Sequence, residues 1–327
     1  MAGESENISK MAEILTNEMF NEFFWEKSGP ININWKCINE NHEKKTHPSD
    51  IVFSYLEPYV NSRTYLNCDL KSYSKKSINK ISIKTAVENL SMAVSCAENS
   101  EDWQEKYIIS NNDNFNVHGL LFIYNHDGEY DNDFQTILEE ATQTNIQLPL
   151  NRRIYILNPK DICYLYTVVN DLKRLRGDGY LPQSRDYQYY YPDLTYKKVV
   201  SAQVRFAATI EMLLGPFFVL RYKILNRDNT FGLLVYYKKE GKSVDEFIYI
   251  IDYLFHYQQL QNYEKIDICL ANPYKDAPAI FSAAKKEYSV KLNESGMMGE
   301  RLNIIHYRSV NNIFKYFSEV EIGMRYE

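Results

Sequence analysis

Apolar residues at helical spacing open the chain. Ile8, Met11, Ile14, Leu15, Met19 and Phe23 predict a helix over residues 5–24, ended by Ser28-Gly29-Pro30. Three strand-like runs follow, Ile31–Cys37, Ile51–Leu56 and Arg63–Leu70, and then a helix over residues 82–99 rich in Ala, Met, Val and Leu. A strong strand at Val117–Tyr124, a helix at 132–143, a strand at Arg153–Leu157 and a helix opened by Pro159 complete an α-β-β-β-α-β-α-β-α order. After Arg176 the period is lost: residues 177–194 carry Gly, Pro and Tyr in no regular pattern. The expected organisation is therefore a first domain over 1–182, a linker or loop over 183–196, and a second α/β domain over 197–327. In the second domain the pattern predicts a helix at 196–213 and a hairpin of Phe217–Ile224 with Phe231–Tyr237. A helix at 244–258, a strand Ile266–Leu270, a helix at 277–288, a strand Leu302–His306 and a helix at 309–318 follow.

Residues 47–76 carry the most chemistry. A hairpin turning at Pro58–Ser62 sets Ile51 opposite Cys68 and Phe53 opposite Leu66 on one apolar face. The other face then carries Asp50 opposite Asp69, with Lys71 two residues beyond Asp69. A slip of one residue would set apolar against polar positions; a slip of two stays open. Carboxylates placed opposite one another, about 5 Å apart, repel by roughly 3 kcal/mol at an effective dielectric near 20. A divalent cation such as Mg²⁺ removes that cost, and Lys71 would stand beside its water and a phosphate. The chemistry to expect from such a face is phosphodiester hydrolysis.

The element order, with Pro48-Ser49-Asp50 opening the second strand and Asp69-Leu70-Lys71 closing the third, resembles the restriction-endonuclease-like, or PD-(D/E)XK, nuclease core over residues 5–125. Ser49 separates the proline from the acid, a departure from the family pattern. The resemblance implies an αβββαβ core and a metal-dependent nuclease using Mg²⁺ or Mn²⁺ at Asp50 and Asp69, with Lys71 as the catalytic lysine. It also implies an auxiliary acid from the first helix, for which Glu22 and Glu26 are both candidates. The implied substrate is DNA, with RNA left open, and the implied setting is prokaryotic restriction or anti-phage defence. The chain would act there as a homo-oligomer or with a second defence-system protein. A non-catalytic nuclease-like subunit that binds nucleic acid or scaffolds a partner is the competing reading. The second domain lacks a D…D-x-K, and is expected to recognise DNA, to mediate assembly, or to be an inactive duplicate.

Composition narrows the rest. With 37 Lys+Arg against 43 Asp+Glu the chain carries a formal charge of −6, so bulk charge cannot hold nucleic acid. Local candidates are Lys75, Lys76 and Lys84 after the site, and Arg174 and Arg176 before the tyrosine-rich loop. The five cysteines, at 37, 68, 96, 163 and 269, form no C-x-x-C and read as reduced, mostly buried thiols. For His42 and His47 a metal role is open, but no Cys or second His pair completes a zinc geometry, and a solvated loop is the preferred reading. An acidic N-terminal segment without an apolar run and no membrane-length apolar stretch predict a cytoplasmic protein with no membrane contact. No Walker A sequence and no G-x-S-x-G occurs.

Overall fold

The computed structural model describes residues 16–109, 114–142, 148, 150–183, 186–192, 205–294 and 299–311. Tertiary contacts divide the chain into two units, one running to Cys163 and the other from Tyr164. The division falls inside one helix, Pro159–Gly177, whose Asn158 side chain caps the N–H groups of Lys160 and Asp161.

The first unit opens with helix α1, residues 16–22; the earlier part of the helix expected from residue 5 lies outside the described residues. Phe24 adopts a left-handed φ of 63°, which turns the chain out of the helix and into strand β1, Glu26–Ser28. Strands β2 (Ile33–Lys36) and β3 (Thr46–Ser49) form a separate antiparallel ribbon. The run expected as the first core strand therefore belongs to this ribbon, and the true edge strand is β1. A three-residue strand that buries only Ser28 offers no period to read.

The main sheet continues with β4 (Ile51–Leu56), β5 (Ser62–Tyr73), β6 (Asn114–Asn125) and β7 (Ile154–Leu157), in the order β1-β4-β5-β6-β7. The first two pairings are antiparallel and the last two parallel. Between β5 and β6 lie helices α2 (Lys80–Ala97) and α3 (Glu101–Tyr107); α4 (Phe134–Ala141) precedes β7, and α5 is Pro159–Gly177. A capping box of Asn79 with Ser82 starts α2, and Ile83, Val87, Leu90 and Val94 place one apolar stripe against Leu121 and Ile123 of β6. Each such side chain contributes about 1.5–3 kcal/mol on burial. Gly119 makes the approach close: a Cβ there would stand 2.9 Å from Leu90 Cγ and 3.1 Å from Val94 Cγ2. The opposite face is aromatic, with Phe20 of α1 packed edge-on against Phe53 and Phe122 and stacked on Trp25.

The second unit repeats this sheet plan. Its strands are β8 (Tyr187–Tyr189), β9 (Phe217–Lys223), β10 (Phe231–Tyr237), β11 (Lys265–Leu270) and β12 (Ile305–Ser309). They lie side by side in chain order, two antiparallel pairings followed by two parallel ones. Short α6 (Ile210–Leu214) precedes β9, α7 (Val244–His256) and α8 (Gln259–Asn262) cross from β10 to β11, and α9 (Ala277–Glu294) leads on towards β12. Thr209 caps α6, so the helix expected from 196 is only one short turn where the structure describes it, and most of the helix expected at 309–318 lies outside the described residues. Tyr187–Tyr189, within the stretch read as linker, forms the edge strand. Its tyrosines bury themselves against β9, which an aperiodic Pro/Tyr composition does not announce.

Candidate active site

The β4–β5 register pairs Ile51 with Cys68 and Phe53 with Leu66, so the two-residue slip does not occur. Asp50 immediately precedes β4, and its N–H bonds the Cys68 carbonyl at 3.3 Å, which sets it beside Asp69. The two carboxyl groups lie within hydrogen-bond reach of each other. Asp50 Oδ2 also accepts the backbone N–H of Leu70 at 2.7 Å, so the strand that carries Asp69 fixes Asp50 as well. Lys71 Nζ stands 2.5 Å from Asp69 Oδ1. Strand alternation places Asn67, Asp69 and Lys71 on one face, the face covered by α2.

Burial, and next the charge of Asp69, push the Asp50 carboxyl up to about 6, against the opposing pull of the Leu70 N–H and Lys71. Burial disfavours the Lys71 ammonium, but the Asp69 carboxylate outweighs it and holds its pKa above the usual lysine value. The site thus concentrates negative charge, answered by one ammonium that stays charged. Two hard carboxylate donors crowded enough to repel fit a Mg²⁺ or Mn²⁺ ion, which the pair would hold between them.

A buried chain of polar contacts supports these strands on the same face, beside the acids. Trp35 Nε1 donates to Ser49 Oγ at 2.9 Å, Ser49 Oγ donates to Asn67 Oδ1, and Trp103 Nε1 donates to the same oxygen at 3.3 Å. Ser49 precedes Asp50 and Asn67 stands two residues before Asp69, so both acids hang from one hydrogen-bonded scaffold.

The other sequence candidates are placed as follows. Glu22, at the end of α1, is buried, and its helix packs Phe20 on the sheet face opposite the acids. Glu26 sits in β1 opposite Ser54, about 13 Å along the strand from Asp50, and ion-pairs with Arg63 at 2.7 Å. Lys75 pairs with Asp131 at 2.5 Å, Lys76 is exposed, and Lys84 reaches Glu88 at 3.7 Å. In the second unit Arg174 pairs with Asp171 and Asp178, and Arg176 donates to the Tyr187 hydroxyl at 2.7 Å.

Residues 1–161 match the family model of the GAPS4 protein PD-(D/E)XK nuclease domain. They are a PD-(D/E)XK nuclease domain. Nucleases of this family typically use divalent metals, in keeping with the acidic pair in this one. No curated protein matches the chain significantly. The nuclease domain also corrects the expectation for its two histidines. His47 is fully buried in β3, and His42 lies on a 3-10 turn with its ring facing His47. Cys37 and Cys96 approach both, so cysteines do stand beside them; Cys96 comes from α2, too far along the sequence for local spacing to reveal. No helix among the described residues is long and apolar enough to cross a membrane.

Proposed function

We propose that the chain is a metal-dependent nuclease that hydrolyses phosphodiester bonds, with DNA as substrate and restriction or anti-phage defence in a prokaryotic cytoplasm as its setting. The observation that carries this reading is the Asp50–Asp69 pair with Lys71 against it, at strand positions that match the family's motif. A structural hairpin has no need of two crowded acids. Such a pair costs stability unless a cation sits between them.

Asp50 and Asp69 would hold Mg²⁺ or Mn²⁺, and the Leu70 N–H orients the Asp50 carboxylate. The cation, when bound, would supply Lewis acidity at the scissile phosphate. Lys71 stays protonated beside Asp69, where it orients the attacking water and offsets charge that develops on the phosphate oxygens. Lys75, Lys76 and Lys84 follow the site along the chain and steer the nucleic-acid backbone towards it; Arg174 and Arg176, in the second unit, are further candidates to hold nucleic acid. Glu22, buried at the end of α1, remains the candidate for an auxiliary acid, whereas Glu26 lies in β1 rather than in the helix and is held by Arg63. The second unit, which takes in Tyr187–Tyr189 as a strand, recognises DNA or assembles with a second copy or a second defence protein.

The test is incubation of the full chain with supercoiled plasmid, linear DNA and RNA, each with Mg²⁺, Mn²⁺ or EDTA. Cleavage that needs the metal and disappears in Asp69→Ala is expected. Undiminished cleavage by Asp69→Ala would sink the assignment.

A further inference from the structure

Four metal-ligating side chains converge away from the acidic pair. Cys37 follows β2, His42 ends the 3-10 turn Glu40–His42, His47 lies in β3, and Cys96 lies in the last turn of α2. One ligand atom from each falls within 4.8 Å of all the others.

The separations match a definite solid. Cys37 Sγ and Cys96 Sγ are 3.8 Å apart, and His42 Nδ1 and His47 Nε2 are 3.3 Å apart. Sulfur-to-nitrogen distances are 3.5 Å from Cys37 to His42, 3.4 Å from Cys96 to His42 and 3.0 Å from Cys37 to His47. A tetrahedral zinc ion with Zn–S near 2.3 Å and Zn–N near 2.05 Å requires edges of about 3.8 Å for S···S, about 3.5 Å for S···N and about 3.3 Å for N···N. Four of the five edges agree to within about 0.2 Å, and the fifth, from Cys37 to His47, is about 0.5 Å shorter. Four electron-rich atoms turned towards one point repel unless protons or a cation lie between them.

We propose that Cys37, His42, His47 and Cys96 form a structural zinc site, distinct from the acidic pair and closed to substrate.

The surroundings suit this assignment. Ser95 Oγ donates to the Met92 carbonyl and lies 3.3 Å from His42 Nε2. Asn39 Nδ2 meets the same ring nitrogen at 3.1 Å, so the outer contacts of His42 fall on Nε2 while Nδ1 faces the sulfurs. Cys96 and His47 are buried and Cys37 and His42 half-buried; with four protein ligands a tetrahedral ion keeps no open position for a substrate. The ligands come from both strands of the β2–β3 ribbon and from α2, so the ion would pin the ribbon to the helix. His47 is three residues from Asp50, and Trp35, opposite His47 in the ribbon, starts the hydrogen-bonded chain to Ser49 and Asn67. The zinc would anchor the strand that delivers the first acid.

The test measures metal content and coordination of the full chain, purified under reducing conditions without chelators. One zinc per chain is expected by elemental analysis, retained in Asp50→Ala and Asp69→Ala and in the Cys68→Ser control. Cys37→Ser and Cys96→Ser should each lower it at least tenfold. Because these variants can fail to fold, the wild-type chain is also stripped and reloaded with Co²⁺. Intense tetrahedral d–d bands with thiolate charge transfer support the site; an octahedral spectrum without thiolate bands overturns it. The proposal also fails if no zinc co-purifies, if zinc is lost from Asp69→Ala but kept in Cys37→Ser, or if Cys37 and Cys96 are joined as a disulfide.

Discussion

The two units share a sheet plan and treat a buried carboxylate in opposite ways. In the nuclease domain Asp50 sits against a second acid, and burial raises its pKa to about 6. In the second unit Asp171, 2% exposed at its side chain, is met by both terminal nitrogens of Arg308 at 2.9 and 2.6 Å, by the Tyr236 hydroxyl at 2.7 Å and by Arg174 at 2.9 Å. Burial works against the Asp171 carboxylate, but Arg308 outweighs it and holds its pKa below the usual range. At the sheet end where the first unit carries Asp50 and Asp69, the second carries Phe217 and Phe218 on β9 after Pro216, and Tyr236 and Tyr237 on β10 before Lys238. One charge is satisfied by its neighbours and stabilises the fold; the other faces a second acid. The same scaffold can therefore be spent on stability or on chemistry, and the neutralising group tells which. This contrast also favours reading the second unit as a repeat of the plan without the chemistry.

The largest expected effect separates the two carboxylates by function. Asp69→Ala should lower metal-dependent cleavage by at least about a hundredfold while the melting temperature is unchanged or higher. Asp171→Ala should do the reverse, costing about 3–5 kcal/mol in denaturant unfolding because Arg308 is left buried without its partner. If Asp171→Ala is silent in stability, the contrast fails.

The next test uses the sign of the pH dependence. The folded-state pKa of Asp50 is above its unfolded value, so its ionisation costs stability at neutral pH, and that cost vanishes as pH falls through about 6 towards 4. Asp171 has the opposite sign: its contribution is complete above the ordinary carboxylate pKa and is lost as pH falls below it. In metal-free protein, Asp50→Asn should therefore stabilise at pH 7 by about 1–3 kcal/mol, with the gain fading by pH 4.5. A gain that does not change with pH would show that Asp50 is not strained by its charge. Lys71→Ala should lower cleavage by about tenfold or more and cost less than about 1 kcal/mol of stability, since the ion pair is partly exposed. The smallest effect belongs to Glu26→Ala. It removes a pair whose acid is 60% exposed and should change stability by less than about 1 kcal/mol, as measured by thermal unfolding.

How much of this was legible depends on distance along the chain. The Ile51–Cys68 register follows from alternation within one hairpin, so the closeness of Asp50 and Asp69 could be read before any coordinates. The Cys37, His42, His47 and Cys96 cluster could not, because its fourth member arrives on a helix 49 residues after His47. The even spacing of Cys37, His42 and His47 was the available signal, and the absence of a C-x-x-C concealed it. Short strands escaped as well: β1 and β8 hold three residues each, fewer than any period needs. Asp171 and Arg308 meet 137 residues apart, a pairing that only the closed sheet creates.

The bond from the Leu70 N–H to Asp50 Oδ2 ties a main-chain amide to the carboxyl that would take up either a proton or a metal ion. That amide is consequently a built-in spectroscopic probe. Its proton resonance should move as Asp50 titrates and move again when a cation displaces the proton, without any label at the site itself. A single ¹⁵N-labelled leucine resonance can thus follow loading of the acidic pair in real time, including in catalytically dead protein where cleavage reports nothing.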